Sequence, residues 1–211
     1  MYISRVEIDV NNPKKIKNLT HIGAYHSWVE DSFPEEKAMN IRTRKLWRVE
    51  KLGKKQFLMV VSKSVPNKTI FEKYGVKNTS ESKDYDLFLK KIKKGNRMFF
   101  KVTLNPVICK AIDIGKRGII KPCLSIDEQL EYIMNRAEIN GFSLKPENLA
   151  IVEKGVVILV KDNKEKIKFV KAVYEGYLTV EDADKFREIL TSGIGKHKAY
   201  GFGMMTVIPM V

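Results

Sequence analysis

Cysteine, histidine and long apolar runs are all scarce in this chain. Of 211 residues, two are cysteines (Cys109, Cys123) and three are histidines (His21, His26, His197). Neither cysteine belongs to a CxxC pair or has a histidine nearby, so a disulfide framework and a zinc site are both disfavoured and the thiols read as buried. His21 and His26 are five residues apart, a spacing that does not place two side chains on one helical face. Carboxylates paired at a two-metal spacing are missing, and Glu30-Asp31 and Glu35-Glu36 read as solvated loop charges. The expectation is no metal and no cofactor. No apolar run approaches the length of a membrane span, and Met1 to Val6 reads as a strand rather than a charged-then-apolar leader. A soluble, cytoplasmic protein without membrane contact follows as the expectation.

Negative charge is also in short supply. Asp and Glu total 25 against 39 Lys and Arg, a formal charge of +14. That balance favours a polyanionic partner, because each phosphate neutralised releases counterions. A proteome merely rich in lysine would raise Glu alongside it, and here the excess is one-sided. With 44% hydrophobic residues, the chain can build a core in one large domain or two small ones.

The residue pattern repeats itself. Tyr2 to Val10 alternates as a strand, with Val6, Ile8 and Val10 on one face. Asn11-Asn12-Pro13 opens a helical segment that extends to about Trp28, weakened at Gly23. Lys45–Glu50 and Gln56–Ser62 read as strands around a basic turn, Lys68–Tyr74 as a short helix stopped by Gly75, and Tyr85–Leu89 as a fourth strand. After the connector from Lys90 to Gly95, Arg97–Leu104 begins a second series. Ser125 with Glu128 forms a capping box for a helix from Ile126 to Asn140, whose apolar face carries Ile126, Leu130, Ile133, Met134 and Ala137. Strands at Val156–Lys161 and Ile167–Leu178, a helix to Leu190 and a last strand at Met204–Pro209 complete it. Both series run βαββαβ. The expected fold is α+β, two tandem ferredoxin-like domains, at 1–92 and 97–211.

Two segments carry candidate chemistry. The first runs from Gly193 to Met205 and holds Gly193, Gly195, Gly201 and Gly203 among Lys196, His197 and Lys198. Glycines at positive φ let backbone approach a ligand, and successive N–H groups make an anion-binding concavity. This reads as a loop gripping nucleic-acid phosphate, in which valine at Gly195 or Gly201 is expected to harm RNA binding more than folding. The alternative is a glycine-rich turn between a helix and an edge strand. Nucleotide-cofactor fingerprints do not fit, because this loop follows a helix and opens a strand, and it lacks the Lys-Ser/Thr pair of a P-loop.

The second segment is Leu19 to Trp28, beside Lys14, Lys15 and Lys17, with His21, Tyr25 and His26 inside it. RNA carries its own nucleophile, the 2′-OH, so phosphodiester cleavage needs only a proton-transfer group and cationic donors. Histidine suits the first role and lysine the second. Trp28 and Phe33 read as core.

Taken together, the motifs are similar to those of a known family. Tyr2-Ile3-Ser4-Arg5-Val6, the His21–His26 segment, Leu46-Trp47-Arg48-Val49-Glu50, Phe100 to Pro106, Tyr174 to Val180 and the terminal glycine segment occur in one order. The set resembles the CasE group of CRISPR precursor-RNA endoribonucleases of type I-E systems. The resemblance implies that His21 is the catalytic histidine and that His26 matches a second histidine present in some members. A tyrosine that some members place three residues before the histidine is Asn18 here, and Tyr25, on the other side, is the candidate to take its catalytic place. It further implies that the hairpin carrying Lys161, Lys164, Lys166 and Lys168 enters the groove of an RNA stem, with the glycine loop in the cleft between domains. The product would be a 2′,3′-cyclic phosphate at the foot of the repeat stem-loop, and the protein would stay on the crRNA with the other Cascade subunits. A non-catalytic subunit of such a complex, or a general RNA-binding module, would share the fold or the charge without needing His21.

Overall fold

In a computed structural model that describes residues 1–110, 118–161 and 163–210, the chain forms two four-stranded antiparallel sheets, each with helices on one side. The first half holds β1 (Tyr2–Glu7), α1 (Pro13–Ile16), α2 (Ile22–Asp31), α3 (Pro34–Ala38), β2 (Leu46–Leu52), β3 (Lys55–Ser62), α4 (Lys68–Phe71), β4 (Glu81–Asp84) and α5 (Asp86–Leu89). The second holds β5 (Arg97–Leu104), β6 (Val107–Lys110), β7 (Ile119–Pro122), α6 (Ile126–Ala137), β8 (Phe142–Val160), β9 (Lys166–Val180), α7 (Ala183–Ser192) and β10 (Met205–Pro209). The sheets are ordered β2-β3-β1-β4 and β10-β5-β9-β8. Each order interleaves the strands of a βαββαβ unit, so the fold is a tandem pair of ferredoxin-like units, with β6 and β7 as an inserted ribbon.

Several local expectations change. The fourth strand is Glu81–Asp84, exposed along its length, and Tyr85–Leu89 turns into helix. Tyr85 and Leu89 lie four apart, both face the core, and are 5% and 7% exposed; that spacing suits a helical turn and not a strand. The expected helix to Trp28 breaks after Ile16 and restarts at Ile22, because His21 and not a preceding turn caps α2. Cys123 is buried as expected, but Cys109 is exposed on the inserted ribbon. The capping box of α6 forms as read, although Ile126 at its first turn faces outward and Gln129 and Tyr132 are buried instead.

One core lies between the first sheet and its helices, where Val6, Ile8, Trp28, Val29, Phe33, Trp47, Leu58, Val60 and Phe71 pack. The other fills the second unit around Phe100, Phe142, Tyr174 and Phe186, and it recruits Leu46 and Val61 from the opposite face of the first sheet. The halves are therefore packed together, and their junction is polar as well as apolar. Arg48 on β2 is 4% exposed and donates from Nη1 to the carbonyls of Lys101 (2.9 Å) and Met204 (3.1 Å) and from Nη2 to Thr206 Oγ1 (2.9 Å) and Glu50 (2.5 Å). Lys101 bridges Glu50 and Glu175, both at 2.7 Å. Trp47 Nε1 donates to the Ala199 carbonyl at 2.8 Å, and Arg187 on α7 donates to the carbonyls of Leu89 and Ile92.

Removing one member of a buried ion pair strands the other. Arg48→Met is expected to lower stability by about 3 kcal/mol, read as a fall in the urea midpoint. An unchanged midpoint would show that the junction holds without the guanidinium.

Candidate active site and nucleic-acid interface

The first turn of α2 builds one wall of a cleft of about 630 Å³. His21 precedes the helix in extended backbone (φ −154°, ψ 163°), and its Nδ1 accepts the N–H of Gly23 at 3.1 Å. Gly23 must be small here: a β-carbon would sit 2.9 Å from the His21 ring and 3.0 Å from Leu159 Cδ1. Because His21 lies off the helix, the five-residue interval no longer separates it from His26. Both line the same cleft, with Ala24, Ser27 and Tyr200, and across from them stand Leu159, Val160, Lys161 and Asn163 of the β8–β9 hairpin.

His26 is half-buried among charged and aromatic neighbours. Its Nε2 lies 3.3 Å from Arg42 Nη2, its Nδ1 lies 4.0 Å from Glu30, and its ring meets Tyr200 edge-on at 5.4 Å. Burial pushes its pKa below the ordinary histidine value, opposed by the Glu30 carboxylate and a hydrogen bond to the Ala199 backbone and reinforced by Arg42 and Lys45. Its neutral form is favoured at neutral pH.

Tyr25 points away from this cleft. Its ring stacks on Trp47 (6.0 Å) and lies 6.3 Å from Trp28, and burial raises its pKa. It lines a separate hollow of about 220 Å³ with Trp47, Arg48, Gly201 and Phe202. The phenol that reaches the histidines is Tyr200, on the short 3-10 turn Lys198–Tyr200. In the sequence, Tyr200 signals itself only as an aromatic between glycines. What brings it to α2 is long-range packing: its ring stacks on Phe169 at 6.2 Å.

The hairpin splits its lysines between two faces. Val157 pairs with Phe169 and Leu159 with Ile167 on the inward face, while Ile158 pairs with Lys168 and Val160 with Lys166 on the outward one. Leu159, Phe169 and Phe202 form a small core against Ile22 and Tyr200, so Lys166 and Lys168 face away from the histidines. Lys161 lines the cleft and pairs with Glu165 at 2.9 Å, and Lys164 occupies the tip at φ +63°. Asp162, part of the expected turn, lies outside the described residues.

The two ends of the glycine loop are closed by the protein's own atoms. All four glycines have positive φ, between 77° and 84°. The Gly193 and Gly203 N–H groups donate to Ile189 and Thr103 carbonyls, and Ile194 N–H donates to Gly203. A β-carbon at Gly201 would lie 2.8 Å from the Trp47 ring, and one at Gly203 would overlap the Ile194 carbonyl. His197 is tied down as well: Nδ1 is 3.0 Å from Asn105 Oδ1 and the ring lies 4.4 Å from Phe169. Asn105, 2% exposed, donates in turn to Val170 O at 2.7 Å. Burial lowers the His197 pKa, with Lys196 adding to the effect. Lys196 is exposed, whereas Lys198 is half-buried with its pKa lowered by burial and by Arg44, against Glu188.

Among the described residues no group of three or more His, Cys, Asp or Glu side chains is placed to hold a metal ion, and no helix is long and apolar enough to cross a membrane.

A tandem ferredoxin-like fold with a histidine-bearing cleft between its halves defines a class of protein, and comparison places the chain within it. Residues 1–209 match the family model described as CRISPR associated protein, and the chain belongs to that family. No curated protein matches it. Among solved structures, Thermus thermophilus Cse3 bound to an RNA representing a pre-cleavage complex superposes with a TM-score of 0.78 at 20% identity, covering 99% of this chain and 98% of that one. CRISPR-associated protein Cas6e from Escherichia coli str. K-12 gives 0.60 at 18% identity over 100% of both chains. A chain of a CRISPR RNA-guided surveillance complex gives 0.64 at 16% identity, again over 100% of both. These likenesses establish a shared fold along the full length.

Because Gly201 and Gly203 meet the protein's own atoms, valine at either is expected to destabilise the fold. The expected loss is about 3 kcal/mol or more, from overpacking and backbone strain together, measured as a drop in melting temperature. A native melting temperature with weakened RNA binding would instead support the phosphate-gripping role.

Proposed function

We propose that this chain is a CasE-type endoribonuclease. It cuts CRISPR repeat RNA at the foot of its stem-loop through attack of the 2′-OH on the adjacent phosphate, leaves a 2′,3′-cyclic phosphate, and stays on the crRNA with other Cascade subunits in the cytoplasm. One observation carries the reading: two histidines and a hairpin lysine face each other across one cleft. The 1–92 domain supplies His21 and His26, and the 97–211 domain supplies Lys161, Asn163 and Tyr200. The chemistry requires no metal, since the substrate brings the nucleophile and the side chains bring proton transfer and positive charge.

The Gly23 cap suggests the role of His21. With Nδ1 accepting an N–H, the neutral ring carries its proton on Nε2, the nitrogen left for a ligand. That nitrogen donates to a phosphate oxygen or to the leaving 5′-oxygen. Full transfer requires the imidazolium, in which Nδ1 releases Gly23 and the bound phosphate supplies the countercharge. His26, kept neutral by burial, is in the form that accepts the 2′-OH proton, and Lys161 stabilises charge on the phosphate. Tyr25 packs the wall from behind. Lys164, Lys166 and Lys168 hold the stem backbone on the other face of the hairpin, and Lys196 adds charge near the loop.

His21→Ala should lower single-turnover cleavage of a repeat RNA in EDTA by about 10²-fold or more, with little change in affinity, and His26→Ala should be milder. A substrate carrying 2′-deoxyribose at the scissile nucleotide should bind and remain uncut. Cleavage of that analogue, or an absolute need for Mg²⁺, would overturn the mechanism. Wild-type RNA that binds tightly yet is never cut would favour the non-catalytic subunit instead.

Binding should weaken steeply with salt. Lys164→Ala combined with Lys166→Ala is expected to flatten the slope of log K against log salt by about one for each phosphate left without its lysine. An unchanged slope removes the hairpin from the interface.

A further inference from the structure

The Tyr174–Val180 motif is only half accounted for by the core. Tyr174 is buried, and its hydroxyl donates to the Gln129 carbonyl at 2.9 Å. Strand alternation turns Tyr177 to the opposite face, where it is 40% exposed. Directly across the ladder stands Phe99, and beyond Phe99 stands Ile208, so one row of apolar side chains crosses three strands. The rings of Phe99 and Tyr177 meet edge to face at 5.4 Å, and Ile208 is 65% exposed. Helices pack on the other side of this sheet, against Phe100, Phe142 and Phe186. The aromatic row faces outward.

Its position within the sheet is informative. β5 and β9 are the first and third strands of the second ferredoxin-like unit and its two central ones. Aromatic side chains at matched positions on those two strands are the arrangement by which four-stranded sheets stack unpaired RNA bases. The electrostatics agree. Arg97 lies two residues before Phe99, shares its face and is exposed, and the carboxylates nearby, Glu50 and Glu175, are both held by Lys101 at 2.7 Å. The chain carries a net charge of +14. On β8, the register slips between Leu144 and Leu149, opposite Tyr177.

We propose that Phe99 and Tyr177 form a second RNA site, a stacking platform for one or two unpaired nucleotides, separate from the histidine cleft. Phe169, at the cleft, and Tyr177 share a face of β9 eight residues apart, about 26 Å along the strand. The Arg48–Glu50 junction crosses the sheet between them. The platform rests on the reading of this chain as an RNA-binding protein and does not depend on its cutting RNA.

The test uses the full chain and a fluorescein-labelled hexauridylate, which has no stem. Anisotropy titrations are expected to show binding that Tyr177→Ala or Phe99→Ala weakens about tenfold each, the usual scale for one lost base stack. Tyr177→Phe should keep the affinity. Melting temperature and single-turnover cleavage of a minimal stem-loop should stay unchanged, so failure of the platform and failure of the nuclease reading register separately. If the alanine variant melts early, Tyr177→Leu keeps apolar packing on Phe99 while removing the π face, and the same weakening is expected. The proposal is overturned if the wild type does not bind the hexamer, or if natively folded variants bind it as the wild type does. It is equally overturned if Tyr177→Ala loses its Cascade protein partners while hexamer affinity is intact, which would make this face a protein interface.

Discussion

A guanidinium buried between two sheets sets the geometry of everything else in this molecule. Arg48 leaves β2 of the first unit and satisfies two carbonyls, a hydroxyl and a carboxylate, three of them on the second unit or its edge. Burying a charge is costly unless its hydrogen bonds are met, so the two units have few ways to sit together that keep those partners in place. Apolar packing alone would tolerate sliding. The cleft exists because α2, from one unit, and the β8–β9 hairpin and the Tyr200 turn, from the other, are held at one spacing. Trp47, next to Arg48, reinforces it by donating to Ala199 beside that turn.

Most of the architecture was legible in the chain because it rests on local rules. Alternation marked β1, a Ser-x-x-Glu box marked α6, and Gly141 marked the end of the helical stretch that follows it. The failures have a common origin in tertiary context. Glu81–Asp84 has no apolar face to announce a strand; it is one because β1 offers it an edge. Tyr85 and Leu89 read as strand until their shared burial shows helical spacing. Cys109 reads as core by residue type but falls on an inserted ribbon.

The candidate site shows the same division. His21 and His26 stood out by residue type and setting, but their meeting in one cleft depends on His21 leaving the helix, which spacing alone argued against. Tyr25 was the phenol nearest in sequence and Tyr200 is the one nearest in space. The hairpin lysines looked like a single cluster, yet two-residue alternation sends Lys166 and Lys168 to the face opposite Leu159. The terminal glycines suggested a ligand because positive φ and open N–H groups look alike in sequence whichever partner fills them. At Gly201 and Gly203 the protein's own Trp47, Thr103 and Ile194 fill that place.

Under the proposed mechanism, His21 holds two appointments at once. As the residue that closes the exposed amide end of α2, it occupies a position where asparagine, serine or aspartate would serve the helix at least as well. None of those is suited, as an imidazole is, to exchange a proton near neutral pH. An asparagine at this position therefore separates the two duties, keeping the helix start while removing the chemistry, whereas an alanine loses both. The rate of Gly23 amide exchange reports on the first duty alone. The opening turn of one helix thus makes local order and the proposed reactivity draw on the two nitrogens of a single ring.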